Sequence, residues 1–113
     1  MSADCLFCRI VRGEIPAKLV AASDECIAFR DINPQAPVHV LVIPRTHVSS
    51  LDEMRDGELL GKMALFAAEV ARREGVAGSG YRTVINNGND AGQSVAHLHM
   101  HVLGGRKLAW PPG

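Results

Sequence analysis

The chain has 113 residues, with 12 Lys and Arg against 12 Asp and Glu, and is 47% hydrophobic and 21% charged. That is the length of one domain, with enough apolar residues for a core and a composition far from that of disordered chains. A formal net charge of zero gives no global attraction to a polyanion, so nucleic acid polymers and acidic membrane surfaces are not expected as partners.

In chain order, Met1-Ser2-Ala3-Asp4 has neither the basic start nor the apolar segment of a secretory signal, so the expected compartment is the cytoplasm. Leu6, Ile10 and Val11 fall at helical spacing before Gly13 and Pro16, which predicts a short helix over Cys5 to Arg12. Lys18 to Ala22 and Cys26 to Phe29 read as two strands of a hairpin turning at Ser23-Asp24-Glu25. Val38 to Ile43 is almost continuously apolar and β-branched, the pattern of a strand buried on both faces. From Asp56 to Glu74 the period becomes helical, with Leu59, Met63, Phe66 and Val70 on one stripe, Asp56 placed to cap the start and Gly75 to end it. Glu69 interrupts the apolar character there, and no run approaches the roughly 18 residues of a membrane span. A second stripe of Leu60, Ala64, Ala67 and Ala71 fits either close packing on a sheet or a subunit contact. Gly78-Ser79-Gly80 predicts a turn, Tyr81 to Asn86 a strand, Asn86 to Ser94 a polar loop, and Val95 to Leu103 the last strand. Strands dominate without βαβ alternation, so the expected class is α+β with a mainly antiparallel sheet in a single domain spanning residues 1–113.

Two groups of residues carry chemistry. Cys5 and Cys8 are spaced CxxC, which fits a metal clip or a redox pair better than a disulfide framework, while Cys26 lies in a strand and reads as a buried hydrophobe. His97, His99 and His101 alternate with Leu98, Met100 and Val102, so on a strand the three rings share one face. Such a face suits a metal site or imidazole chemistry, in which one ring attacks an electrophile and its neighbours move protons. Gly88, Gly92, Gln93 and Ser94 precede the strand and offer N–H and side-chain donors of the kind that hold phosphate oxygens.

His97-Leu98-His99-Met100-His101-Val102-Leu103 resembles the full signature of the histidine triad superfamily. Cys5-Leu6-Phe7-Cys8 with Gly13-Glu14-Ile15-Pro16, Asp31 to Pro37 with His39, Ile43 to His47, Gly92-Gln93-Ser94, and Leu103 to Arg106 with Trp110-Pro111-Pro112-Gly113 extend the likeness to the Hint branch, the histidine triad nucleotide-binding proteins. The resemblance implies a five-stranded antiparallel sheet with one long helix and a short N-terminal helix, assembled as a homodimer. It also implies a purine nucleoside phosphoramidase that binds nucleoside monophosphates and splits the P–N bond of adenylated amines, or cleaves aminoacyl adenylates, to give AMP. The related branch that hydrolyses dinucleoside polyphosphates, and a non-enzymatic nucleotide-binding module, are the alternatives.

Carried onto this chain, the resemblance makes His99 the nucleophile and has His101 contact the phosphoryl oxygens. Ser94 would bond the leaving group, His39 would support proton traffic, and Asn86 and Gln93 would position the phosphate. Asp31 matches the residue that bonds ribose hydroxyls, with capping of the turn before Pro34 as its simpler role. Ile32, Phe7, Ile10, Phe29 and Leu41 would wall the purine, or serve only as core. Trp110 would reach toward the partner's site, or merely anchor the tail. No catalytic cofactor is implied, but many bacterial relatives hold a structural zinc with the residues matching Cys5, Cys8, His47 and His97.

Overall fold

The computed structural model describes residues 5–113, so Met1 to Asp4, read above for the lack of a secretory signal, lie outside the described residues. Helix α1 (Leu6–Val11) is followed by strands β1 (Leu19–Ala22), β2 (Cys26–Arg30) and β3 (Val38–Pro44), a single 3-10 turn at Leu51–Glu53, helix α2 (Gly57–Arg73), and strands β4 (Tyr81–Val84) and β5 (Met100–Gly104). The five strands form one sheet in the order β1-β2-β3-β5-β4, and each neighbouring pair runs antiparallel. The most apolar strand, β3, lies at the centre, as its sequence demands: it is flanked on both sides and buried from His39 to Pro44.

Strand alternation divides the core in two. On one face, Cys26, Ala28, Val40, Val42, Met100 and Val102 join Met63, Phe66, Ala67, Val70 and Ala71 of α2 in one apolar cluster. On the other, Ile27, Phe29, Leu41 and Ile43 pack with Phe7 of α1. The sheet is thus a wall with structural packing behind it and, as shown below, polar chemistry in front.

The long helix follows from its sequence almost residue for residue. The Asp56 carboxylate accepts the Leu59 N–H at 3.0 Å, which satisfies one of the donors left open at a helix start. Gly75 takes φ +77° just past the end, the left-handed conformation that favours glycine. Ala67 and Ala71 are fully buried against the sheet, which settles those two positions of the small-residue stripe as packing, whereas Ala64 is exposed. At the other end of the helix face, an added Cβ on Gly104 would lie 2.8 Å from Val76 Cβ, so glycine lets β5 pass beneath the segment that leaves α2. The Ser23-Asp24-Glu25 hairpin is closed by Ser23 N–H to Cys26 O at 2.8 Å.

Three strands are shorter than expected, β1 only by Lys18. Strand β4 stops at Val84 rather than Asn86, and β5 starts at Met100 rather than Val95. Residues 95–99 lie outside β5: the Leu98 N–H bonds Val48 O in the loop after β3, at 2.6 Å, and the His97 ring bonds the carbonyl of Pro44, the last residue of β3, at 2.9 Å. Of the three histidines, only His101 belongs to a strand. Their rings nevertheless gather on the Phe7 side of the sheet, with His99 and His101 5.1 Å apart between centroids and Phe7 edge-on to His97 and His99, while Leu98, Met100 and Val102 enter the α2 core. The expected two-sided division holds there, except that Ala96 is exposed. Among the described residues, no helix is long and apolar enough to cross a membrane.

Candidate functional site

The sheet face opposite α2 opens into a cleft of about 930 Å³, a size suited to a small organic ligand. Its walls include Phe7, Ile10, Phe29, Asp31, Ile32, His39, Leu41, Ser94, His99 and His101, so ten of the residues singled out in the sequence converge on one space. The question of core or pocket wall dissolves for Phe7, Phe29 and Leu41: each is buried in the front cluster and also lines the cleft. Ile32 is fully exposed at the rim.

Hydrogen bonds to groups that can only donate or only accept assign the ring tautomers. The His97 carbonyl can only accept, so His99 donates to it from Nδ1, at 2.7 Å. The neutral His99 ring therefore keeps a lone pair on Nε2. The Gln35 backbone N–H can only donate, and it bonds His39 Nδ1 at 3.0 Å. His39 must then carry its proton on Nε2, which donates to His101 Nδ1 at 2.9 Å. That leaves neutral His101 with its proton on Nε2. A chain of three bonded groups, beginning at a backbone amide, thus fixes His101 as a donor beside the Nε2 lone pair of His99.

The electrostatics favour the neutral forms of His101 and His39. Burial, reinforced by the neighbouring His99 and His39 rings, takes the His101 pKa down to about 4. Burial also lowers His39, and the Asp31 carboxylate opposes it only in part. Asp31 Oδ1 accepts the Asn33 N–H at 2.8 Å, so the turn-capping role is real, while Oδ2 faces His39 Nε2 at 3.4 Å.

Two predicted phosphate contacts are not seen among the cleft walls. The side chain of Gln93 is fully engaged with backbone: Oε1 accepts from Gly88 N–H at 2.9 Å, and Nε2 donates to Ser49 O at 2.8 Å and Val95 O at 3.0 Å. It braces the loop beneath Ser94 and does not project a donor into the cleft. Asn86 is half-buried past the end of β4 and is also not a lining residue. Conversely, Ile15, Pro16, Ala17 and Lys18 line the cleft though no role was assigned to them; the Gly13-Glu14-Ile15-Pro16 block was the available signal. The Gln35 amide was missed because a backbone group leaves no trace in residue type.

A second cluster lies beside the first. Cys5 Sγ, Cys8 Sγ, His47 Nδ1 and His97 Nδ1 are all within 4.8 Å of one another. His97 Nε2 donates to Pro44 O, so its Nδ1 presents a lone pair to Cys5 and Cys8, at 3.4 and 3.6 Å. His47 Nδ1 is 3.2 Å from Cys8 Sγ. The nitrogen–sulfur edge of a tetrahedron built on zinc is about 3.5 Å, so this donor set matches a four-coordinate cation in both chemistry and spacing. Burial, and then the adjacent Cys5 thiol, raise the Cys8 pKa. Asp31, His39 and His101 also have mutually close donor atoms, but there the Gln35 amide keeps a proton on the His39 nitrogen that would have to bind.

Comparison with known proteins now decides the family. The HIT domain matches residues 12–108 of the chain. This chain belongs to the HIT domain family. It is 53% identical to an uncharacterized HIT-like protein of Synechococcus elongatus, covering 100% of both chains. Its fold superposes on a HIT family hydrolase from Legionella pneumophila with a TM-score of 0.94 at 46% identity, covering 97% of this chain and 100% of that one. A histidine triad nucleotide-binding protein from Candida albicans matches with a TM-score of 0.83 at 29% identity, over 96% of this chain and 83% of the other. The HIT fold expected from the sequence, five antiparallel strands with one long and one short helix, is the fold observed.

Proposed function

We propose that this HIT domain protein is a nucleotide hydrolase that cleaves the P–N bond of purine nucleoside phosphoramidates and releases AMP. The observation that carries the reading is the 2.7 Å bond from His99 Nδ1–H to the His97 carbonyl, which leaves Nε2 unprotonated on a ring that lines the cleft. The Legionella relative is named a hydrolase and the Candida relative nucleotide-binding, and both properties fit this cleft.

In the proposed reaction, the His99 Nε2 lone pair attacks the α-phosphorus and forms a P–N bond to the ring. The bond from phosphorus to the substrate amine breaks, and its electron pair leaves on nitrogen, which takes a proton from solvent as it departs; the water consumed in the second step releases one in return. Ser94, on the cleft wall, serves that leaving group. His101 donates Nε2–H to the phosphoryl oxygens, where charge grows in the transition state, and His39 holds it in that tautomer. Water then displaces the ring, giving AMP and restoring His99. Asp31 takes the ribose hydroxyls, and Phe7, Ile10, Phe29, Leu41 and Ile32 enclose the purine.

The reading extends to the assembly. Cys5, Cys8, His47 and His97 would hold zinc, which when bound would cross-link α1 to the segment after β3 and the segment before β5. Two copies pair as a homodimer: Leu65 on α2 is 74% exposed and Trp110 80% exposed, with Trp110 5.8 Å from the Arg82 guanidinium. Sedimentation of the purified chain at the mass of two copies supports this pairing, and a monomer at all concentrations refutes it.

The test is His99→Ala. Hydrolysis of an AMP–amine conjugate falls by at least ~10³-fold, while AMP binding changes only a few-fold. Undiminished turnover rejects the reading. A diadenosine polyphosphate assayed beside the conjugate distinguishes the two hydrolase classes, and an AMP-binding protein inert toward both is a binding module.

A further inference from the structure

The residue that closes the thiol cluster also orients the proposed nucleophile. The His97 ring points Nδ1 at Cys5 and Cys8 and is fully buried, while its backbone carbonyl accepts the His99 Nδ1–H. Because residues 95–99 lie outside β5, that carbonyl has no ladder partner and is oriented by two local holds: Leu98 N–H of the same planar peptide bonds Val48 O at 2.6 Å, and the His97 ring is anchored beside it. Two anchors hold the ring: Pro44 O on one side and the thiol cluster on the other.

A second route runs through α1. Phe7 lies between the two cysteines of the CxxC segment. Its ring meets the His97 ring edge-on at 5.9 Å and the His99 ring at 5.2 Å and 87°. Moving either cysteine therefore moves the aromatic wall against which His99 rests. Groups behind a reacting or ligating residue commonly set its orientation in this way.

We propose that Cys5, Cys8, His47 and His97 form a positioning device for His99: zinc held there fixes the His97 carbonyl and the Phe7 ring, and its loss releases His99 from a single tautomer. This rests on the reading of His99 as nucleophile and of the cluster as a zinc set. His97 and Phe7 act through His99, as positioning residues.

The test is nitrogen NMR of the His99 ring in the full chain. With zinc bound, His99 shows one tautomer, protonated on Nδ1, whose proton exchanges slowly with water. After zinc is withdrawn by a chelator and its removal verified by metal analysis, the second tautomer appears and exchange quickens roughly tenfold or more. Identical spectra and exchange in folded, zinc-free protein overturn the proposal. Should the chelated chain unfold, Phe7→Leu decides the matter, since it leaves all four ligands in place. Zinc content then stays unchanged while His99 exchange quickens, and unchanged exchange overturns the proposal. Phosphoramidate hydrolysis followed in the same samples separates the two readings. Coupling without hydrolysis refutes the nucleophile and upholds the positioning device; hydrolysis without coupling refutes the device alone.

Discussion

Two clusters sit side by side on the front of the sheet, and each contains two imidazoles beside thiols or a carboxylate, yet the nitrogen that faces the cluster is bare in His97 and protonated in His39. In the first, the Pro44 carbonyl draws the His97 proton onto Nε2, which leaves Nδ1 as a lone pair facing two thiols. In the second, the Gln35 amide occupies His39 Nδ1 and forces the proton onto Nε2, between His39 and His101. One backbone acceptor leaves a lone pair facing two thiols; one backbone donor leaves a proton held between two imidazoles. Residue type alone does not separate them, since each has mutually close donor atoms.

The comparison can be broken most forcefully at Cys8. Cys8→Ala should abolish stoichiometric zinc binding and lower the melting temperature by roughly 10 °C or more, measured by metal analysis and calorimetry on the same samples. Retention of one zinc per chain would reassign the ligands. His39→Leu strikes the other cluster. It removes the donor to His101 and should lower kcat about 10- to 100-fold with zinc content unchanged; loss of zinc in this variant would mean the clusters are not separate.

Acid sharpens the contrast. His101 titrates from an ordinary 6.5 down to about 4 in the folded chain, so the unfolded chain binds the proton more readily. Its contribution to stability is complete above 6.5 and is lost as the pH falls through about 4. Denaturation curves across that window should show His101→Leu losing less stability on acidification than the parent, and equal losses would contradict the assignment. The mildest test is Gln35→Pro, which deletes the amide proton that fixes His39. Zinc titration of the parent should saturate at one equivalent, whereas the variant should take up a second, weaker one at Asp31, His39 and His101; a second equivalent in the parent would show that the amide does not exclude a cation.

Much of this arrangement was legible because side-chain periodicity reports burial. The helical stripe through Met63, Phe66 and Val70 and the continuous apolar run of β3 follow directly from it, and both are buried as expected. Periodicity failed where neighbours, not local sequence, decide the structure. Val95 to His99 alternate like a strand, but the Leu98 N–H bonds the loop carbonyl of Val48 and the segment joins no ladder. Gln93 looked like a phosphate ligand because its amide is a good donor, yet its partners are the backbones of Ser49, Gly88 and Val95, one of them 44 residues away in the chain. The gathering of the cleft residues was carried by the resemblance, while the proton order within them came only from geometry.

The sheet itself has a further consequence. Val102 is fully buried on the side of α2, whereas its neighbour His101 lines the cleft, so a single layer of backbone partitions two independent environments. Mutations that repack Met63 or Val70 can tune robustness without redrawing the reaction chamber, which makes this small domain a scaffold whose durability and chemistry can be engineered on separate sides.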